Sequence, residues 1–521
     1  MESIWYQDMN IPKMDSLSGS CHTEAVVIGG GLSGILTAYY LKQAGVDVMV
    51  IEGNRIGSGQ TGKTTAKITV SHNLIYDRLI HERGWNQALQ YAQANLEALN
   101  QYEILVKKLK IDCDFRICPS YLYAAEDSGC KDEQYGLNGP EKLFREAQAA
   151  ARLGLAAELK SETELPFPVK AALCYERQAC FHPLKFLSHM ASELSCSREK
   201  TGKNKCFIVE NTPVEQVIEN QVITPFGTVT ADHIVFASHF PFINRPGYYF
   251  MRMHQDRSYV AAFTGCQELQ GMYLGIDPAP PAWKENASGK GLSFRSFGEY
   301  MLLGGYGHRT GRNANGGQYD KLKELGAFYW PGCKIQTCWS AQDCMTVSTT
   351  PYIGKYSSRK SNWYVAAGFQ KWGMTSSMVS ALLISRMIRN GTDDVPYAEV
   401  FSPQKLHLGE IVPKLMCEGM TAGKNLLKQN LWIPGKLLKQ VLPGQGGVVW
   451  YQGKKLGVYR CGDGTLYFVT TRCPHLGCEL TWNQEEKSWD CPCHGSRFDY
   501  RGNLLDNPAQ KSGGNGIRIS I

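Results

Sequence analysis

Two short boxes late in the chain carry its most specific chemistry. Cys473-Pro474-His475-Leu476-Gly477-Cys478 comes first, and Cys491-Pro492-Cys493-His494-Gly495-Ser496 follows. The spacing is Cys-x-His, fifteen residues, then Cys-x-x-His, which gathers two thiolates and two imidazoles. That donor set suits tetrahedral zinc. It also suits a two-iron, two-sulfide cluster with two thiolates on one iron and two imidazoles on the other. A zinc finger needs its His pair close together on one helix. Here each His stands beside a Cys in a Gly/Pro turn, which favours the cluster. Such a cluster moves one electron at a time and remakes no substrate bond. A second centre in the chain must feed it or drain it.

The two-box pattern resembles the Rieske family, and the resemblance implies Cys473, His475, Cys491 and His494 as ligands of a [2Fe-2S] centre. In the high-potential branch of that family, cysteines at the positions of Cys478 and Cys493 form a disulfide between the two cluster loops. In a reducing cytosol such a bond is unusual, and burial beneath the loops would shield it. The same branch uses a Ser after the second box and a Tyr two residues on as donors to the cluster. Ser496 matches, but Phe498 stands at the Tyr position. One donor is therefore missing, which implies a potential below that of the respiratory members. Asn507-Pro508-Ala509 stands where the family has a Pro loop over the cluster, without the usual Gly before Pro508. The His face, His475 and His494, is expected to lie open to solvent and to meet an external acceptor.

The second centre begins near the start of the chain. Glu24-Ala25-Val26-Val27-Ile28 reads as a buried strand, Gly29-Gly30-Gly31-Leu32-Ser33-Gly34 follows, and a helical pattern runs from Ile35 to Ala44. Asp47 to Ile51 is the next strand, and it ends at Glu52. This is G-x-G-x-x-G in its strand–helix–strand context, with an acid about twenty residues on. Gly29 and Gly31 allow a tight turn and close approach of a pyrophosphate, and Gly34 allows close helix–strand packing. The helix start receives the negative charge, and Glu52 accepts from a ribose. Arg55 to Lys67 follows at once. Its letters match a phosphate-binding P-loop from Gly57 to Thr64, but no strand directly precedes it, as a P-loop requires.

That stretch resembles the loop after the second strand in the D-amino-acid-oxidase-like (glycine and sarcosine oxidase-like) FAD family. The resemblance covers roughly residues 20 to 395. It implies FAD, with Leu32, Ser33, Gly53, Arg55, Thr61, Thr64, Thr65 and Lys67 among the contacts beside the glycines and Glu52. Val214, in Thr212-Pro213-Val214, resembles the strand whose Val meets adenine. Gly368 and the turn Trp372-Gly373-Met374-Thr375 resemble the family's late signature, where a helix N-terminus points at the flavin. Thr61-Gly62-Lys63-Thr64-Thr65-Ala66 departs from the family's commoner Ser-Gly-Arg-Asn-Gly-Gly, which marks a divergent branch. Lys67, His72, His308, Arg309 and Trp372 are candidates for catalysis by position. Arg309 could hold a carboxylate, and Lys67 could sit at the flavin through a water.

The elements that position these groups need more than one domain. The chain has 521 residues, a formal charge of +7 and ordinary apolar and charged fractions of 43% and 20%. Nothing in that balance points to nucleic acid. No apolar run is long enough to span a membrane, and the first residues lack the form of a secretory signal, so the expected location is cytoplasmic. Outside the boxes the remaining cysteines show no metal spacing and read as small buried hydrophobes.

The expected fold is an α/β Rossmann-like FAD-binding domain with an α+β substrate lobe, followed by a small all-β Rieske domain. The oxidoreductase part spans 1–400, with a discontinuous FAD lobe of about 20–75, 140–240 and 340–395. The substrate lobe takes about 76–139 and 241–339. A helical linker spans 401–440, and the Rieske domain spans 441–521. The expected activity is oxidation of a small amine or amino-acid-like donor at FAD. Electrons then pass singly through the cluster to an external one-electron acceptor, a protein or a quinone-like molecule. Two alternatives stand beside it: a reductase in which the cluster feeds the flavin, and a redox-sensing docking module.

Overall fold

The computed structural model describes residues 2–7, 9–125, 137–195, 205–276, 291–313, 316–405 and 437–512, the strand Ile517–Ile519, and isolated positions between 412 and 423. The expected linker 401–440 falls largely outside the described residues.

An eight-stranded sheet organises the first site. Cys21–Ile28 lies parallel between Gly227–Phe236 and Val48–Ile51, with Cys206–Val209 beyond the latter. Lys360–Ala367 joins the other side in parallel, and Tyr352–Ser357 closes that edge antiparallel. Helices cover one face of these strands, and a layer including Val217, Val222, Phe240 and Tyr356 covers the other, so their apolar runs are nearly unbroken. Val26, Val27, Val48, Val50, Ile234 and Val235 are all fully buried. The helix Leu32–Gln43 packs against Gly373–Asn390, whose apolar residues form part of the same core.

A nine-stranded sheet roofs the other side. Its order runs Lys334–Thr346, Met253–Thr264, Tyr300–Arg309, Ser293–Phe297, Met272–Gly275, Arg116–Ala125, Val169–Cys180, Lys67–Ile68, with Ala157–Lys160 also on Val169–Cys180. Here the lobe boundaries read from sequence shift. Ala157–Lys160 and Val169–Cys180 pair in the roof, although both lie inside the segment 140–240 expected in the FAD lobe. The cause is the long antiparallel register of Val169–Cys180 with Arg116–Ala125, in which Tyr121 faces Cys174. Lys334–Thr346 likewise runs past residue 340 while paired to Met253–Thr264 along its length.

The last part of the chain forms two four-stranded antiparallel sheets. Gly446–Tyr451, Lys454–Arg460, Leu466–Thr470 and Ile517–Ile519 make one, and Thr481–Asn483, Ser488–Asp490, Arg497–Asp499 and Leu504–Asp506 make the other. Trp482, Trp489 and Phe498 pack with the box cysteines in a small core between them. Among the described residues no helix is long and apolar enough to cross a membrane.

Candidate functional site

A cavity of about 1030 Å³ opens between the two large sheets, at the ends of the first parallel strands. Ile28, Gly29, Gly31, Leu32 and Ser33 line its floor, with Glu52, Gly53 and Val214 beyond them. The helix Leu32–Gln43 starts here with no side-chain cap from Gly31. Its Leu32 N–H is taken by Thr61, and the N–H groups that follow suit a phosphate. A Cβ on Gly34 would lie 1.9 Å from the Gly29 carbonyl oxygen, so only glycine allows this helix to sit so close to the strand. Glu52 accepts from the N–H groups of Gly30, at 2.6 Å, and Asn54, at 2.8 Å. Burial works to raise this carboxyl, and these N–H groups work to hold it down.

The loop expected along the flavin lines the same cavity through Thr61, Thr64, Thr65 and Lys67. Thr61 Oγ1 accepts from Leu32 N–H at 3.1 Å, which ties the loop to the helix start. The first residues of the chain strap it from outside. Trp5 Nε1 donates to the Thr64 carbonyl at 2.6 Å, Tyr6 Oη to Gly57 at 2.9 Å, and Ser3 Oγ to Gly62. No motif marks this strap in the sequence.

Three expected cofactor contacts lie elsewhere. Arg55 does not line the cavity. It pairs with buried Glu210 at 3.1 Å and donates to the Ile11 carbonyl, so it fastens the N-terminal segment. Gly368 packs against Thr346 with a φ of +71°. Thr375 bonds both ways with Thr69 and so pins the start of the helix Gly373–Asn390. Val214 does line the cavity, but it sits in the loop between Cys206–Val209 and Gln216–Ile218 rather than in a strand.

The inner cavity brings Lys67, His72, Trp372, Gly373 and Met374 together. Lys67 Nζ donates to the Tyr273 carbonyl at 2.8 Å and to Ser293 Oγ at 2.7 Å. Burial, and then the charge of Arg295, lower its pKa to about 7. His72 stacks on Trp372, with ring centres 4.8 Å apart, and its Nδ1 lies 2.6 Å from Tyr91 Oη. Burial lowers the His72 pKa to about 3, so the ring is neutral at ordinary pH. Its Nε2 is buried with no hydrogen-bond partner. Sequence reasoning missed a further chain, in which Lys371 Nζ donates to Ser258 Oγ at 2.9 Å and Ser258 Oγ to Asp343 at 3.0 Å. All three line the cavity, and they come from separate segments with no spacing to betray them.

His308 and Arg309, also expected near the flavin, do not line the cavity. The strand Tyr300–Arg309 touches it through Gly304, Gly305 and Gly307, then carries its last residues beyond it. His308 Nε2 meets Tyr259 Oη at 2.9 Å. Arg309 donates to the carbonyls of Pro492, at 3.1 Å, and Cys493, at 2.9 Å. It holds a cluster box, not a substrate carboxylate.

The two boxes fold alike. Gly477 N–H donates to Cys473 O at 2.9 Å and Gly495 N–H to Cys491 O at 3.0 Å. Cys473 N–H reaches Cys478 O at 2.9 Å, and Cys491 N–H reaches Ser496 O at 2.8 Å. Each knuckle needs its glycine, since Gly477 and Gly495 have φ near the left-handed region at +81° and +84°. A disulfide joins Cys478 to Cys493, and Cys473 and Cys491 remain as buried thiols. The Cys473 thiol is held below its ordinary value by Cys491, then by His475 N–H, Ser496 and Leu476 N–H. Ser496 and the two N–H groups are donors that suit a sulfur-bound metal centre, and Cys491 is the second thiol ligand. His475 Nδ1 is buried and has no hydrogen-bond partner, as a nitrogen destined for iron should be. These residues fit the cluster. Ser496 Oγ also accepts from Ala509 N–H at 3.0 Å, Phe498 is fully buried, and Pro508 is buried.

The histidine face is largely covered, contrary to expectation, with His475 half-buried. His494 is 6% exposed. His475 Nε2 lies 2.9 Å from Asn244 Oδ1, and Phe250 stands edge-on to both imidazoles, at 6.3 and 5.9 Å. The reason is docking. Gln255 Nε2 donates to the carbonyls of His494 and Asn507, at 3.0 and 2.9 Å, and Gln342 Nε2 donates to Gly495 O at 2.8 Å. Gln60 of the flavin loop donates to Asp506 at 3.0 Å. Leu504, Leu505, Asp506 and Asn507 thus complete the cavity wall.

The comparisons agree with this geometry. The FAD dependent oxidoreductase (DAO) family model matches residues 24–387, and the Rieske [2Fe-2S] domain model matches 432–518. YhfW of Bacillus subtilis (strain 168), named a Rieske 2Fe-2S iron-sulfur protein, is 34% identical over 98% of this chain and 96% of its own. Gamma-glutamylputrescine oxidoreductase of Escherichia coli (strain K12) is 24% identical over 73% of this chain and 86% of its own. Among solved structures, L-proline dehydrogenase from P. horikoshii superposes with a TM-score of 0.59 and 17% identity, covering 76% of this chain and all of that one. Glycine oxidase from Geobacillus kaustophilus gives 0.58 and 15%, over 74% and 99%. These two show a shared fold. With its dinucleotide cradle and its paired Cys-His knuckles, this chain belongs to the DAO family of FAD-dependent oxidoreductases and carries, after that domain, a Rieske domain that binds a [2Fe-2S] cluster.

Proposed function

We propose that this protein oxidises a small amine or amino-acid-like donor and delivers the electrons singly, through its Rieske domain, to an external acceptor. Bound FAD supplies a two-electron acceptor, and the cluster supplies a one-electron carrier. The observation that carries this reading is the direct seating of the second cluster box on the cavity wall. Gln342 lines the cavity and also donates to Gly495 O beside His494. Gln255 joins it to the His494 carbonyl itself.

The remaining residues divide the work. Gly29, Gly31 and the helix start at Leu32 hold a pyrophosphate. Trp372, stacked on neutral His72, forms an apolar wall that excludes water from the inner cavity. His72 Nε2 is placed to bond a polar group of the donor, since it lacks any other partner. Lys67, with its pKa near 7, holds or releases a proton within the ordinary pH range. The names of gamma-glutamylputrescine oxidoreductase, L-proline dehydrogenase and glycine oxidase support an amine or amino acid as donor. The cytoplasm is the proposed compartment.

One observation favours the reverse direction, in which the cluster feeds the flavin. Phe498 removes a donor from the cluster environment and so makes the cluster a stronger reductant. An anaerobic screen of amines and amino acids decides between them. Flavin bleaching followed by growth of the reduced-cluster EPR signal is expected. Bleaching by none of them, with a cluster potential below that of the flavin, would establish the reverse flow.

A further inference from the structure

The roof of the cavity holds a second group of reactive side chains that the proposed reaction leaves unused. Cys118 and Cys180 bring their sulfurs to 3.7 Å, and both are buried, packed with Met272. Strand register fixes the arrangement. Lys67 and Arg116 stand opposite Cys180 on either side, so the three share one row and one face of the sheet. Cys118 lies two residues beyond Arg116 and returns to that face. Lys67 lines the cavity, as does Ser120, which stands opposite Met272.

Charge marks the pair as more than packing. Arg295 is fully buried and donates to main-chain carbonyls of the flavin loop and its neighbour: Thr65, Ala66 at 2.9 Å and Phe181 at 3.1 Å. Lys67, beside it, meets only a carbonyl and a hydroxyl. Among the described residues neither cation meets a carboxylate. A buried arginine without a counter-charge is costly, and the acid within reach is a thiol. The S–H of Cys118, then Arg295 and Arg116, draw the Cys180 thiol down against its burial, while Cys118 is pushed up as the donor. Thiolates beside Arg and Lys are the reactive ones.

We propose that Cys118 and Cys180 form a reversible dithiol/disulfide site in the roof sheet, behind the cavity-lining Lys67 and Ser120, oxidised by a small hydroperoxide. The Cys180 sulfur attacks one oxygen of hydrogen peroxide. The S–O bond forms, the O–O bond breaks, hydroxide leaves, and Cys180 becomes a sulfenic acid. The Cys118 sulfur then attacks Cys180 Sγ. The S–S bond forms, the S–O bond breaks, and water leaves with the Cys118 proton. The pair loses two electrons and one peroxide gains them. A bond of about 2.05 Å requires the sulfurs to close by roughly 1.7 Å. Oxidation also strips Arg295 of its counter-charge, and Arg295 holds the Thr65 and Ala66 carbonyls of the flavin loop. The site thereby couples peroxide to the cofactor cradle, and it stands whether or not the electron relay does.

The test uses the full-length holoprotein, treated with stoichiometric hydrogen peroxide, alkylated under denaturing conditions and mapped by mass spectrometry. The expected product is a peptide pair joined through Cys118 and Cys180, with both lost from the free-thiol pool and both restored by dithiothreitol. C118S should stop at a Cys180 sulfenic acid that dimedone traps. The wild-type map stands by itself if that variant does not fold. Free Cys118 and Cys180 at a dose that already oxidises exposed Cys21 would overturn the proposal. Oxidation of Cys180 without a link to Cys118 would overturn it equally.

Discussion

The side-chain amide of Gln255 donates to the main-chain carbonyl of His494 across 3.0 Å. Gln255 belongs to the roof of the oxidoreductase cavity and His494 to the cluster box, so this bond joins the two halves of the chain at the atoms that matter. Gln342 Nε2 in turn donates to Gln255 Oε1 at 2.7 Å, and both glutamines sit on adjacent strands. A Cβ on Gly495 would come within 2.6 Å of Gln255 Cβ, so the box presses flat against the roof.

This contact predicts a selective kinetic defect. Q255L and Q342L should slow electron exchange between flavin and cluster by about tenfold or more, because small displacements of a preorganised contact are costly. Flavin reduction by a donor and the cluster EPR line shape should stay as in wild type. Rapid-mixing absorbance, read separately at flavin and cluster bands, checks this.

The missing donor at Phe498 is open to repair. F498Y should raise the cluster potential on the order of 60 mV, since a hydrogen bond to a charged acceptor is worth about 1.4 kcal/mol or more and 59 mV is a tenfold change for one electron. Phe498 is buried beside Trp489, so the new hydroxyl must find the cluster side. Potentiometric titration of both proteins gives the shift, and an unchanged potential would remove Phe498 from the account.

Acid should loosen the docking. Glu486 of the Rieske domain pairs with buried Arg257 of the roof at 2.9 Å and with Arg497 at 3.3 Å. Burial works to raise this carboxyl, but Arg257 and then Arg497 outweigh it and hold it at about 2, below its ordinary 4.5. A depressed carboxyl stabilises the folded form above the ordinary value and loses that contribution as pH falls through the depressed one. The loss therefore runs from pH 4.5 down to about 2 and amounts to a few kcal/mol. E486Q should flatten that window in acid-unfolding curves followed by tryptophan fluorescence.

The N-terminal strap predicts a cofactor effect far from any motif. Trp5 is fully buried and fixes the Thr64 carbonyl. W5A should lower stability by about 3–5 kcal/mol and weaken FAD retention. FAD recovered per chain after gel filtration, compared with wild type, measures it.

How much of this was legible in the sequence follows from the range of each interaction. The Gly29–Gly34 turn, Glu52 and the two Cys-His boxes are local patterns whose geometry is set within a few residues, and reading along the chain finds them. Arg309 and His308 misled because their strand begins at the cavity and ends at the other domain. The lobe boundaries misled because Val169–Cys180 finds its partner through long-range pairing. Gln255, Gln342, Asn244 and Phe250 carry no motif, since their importance arises only when two domains meet.

The central claim is charge exchange within one chain. A brief laser pulse with a deazaflavin donor would place single electrons on the holoprotein under anaerobic conditions, and flavin and cluster absorbance would then be followed as they re-equilibrate. The account predicts an exchange rate independent of protein concentration. A rate that rises in proportion to concentration, or two centres that never equilibrate, would contradict it.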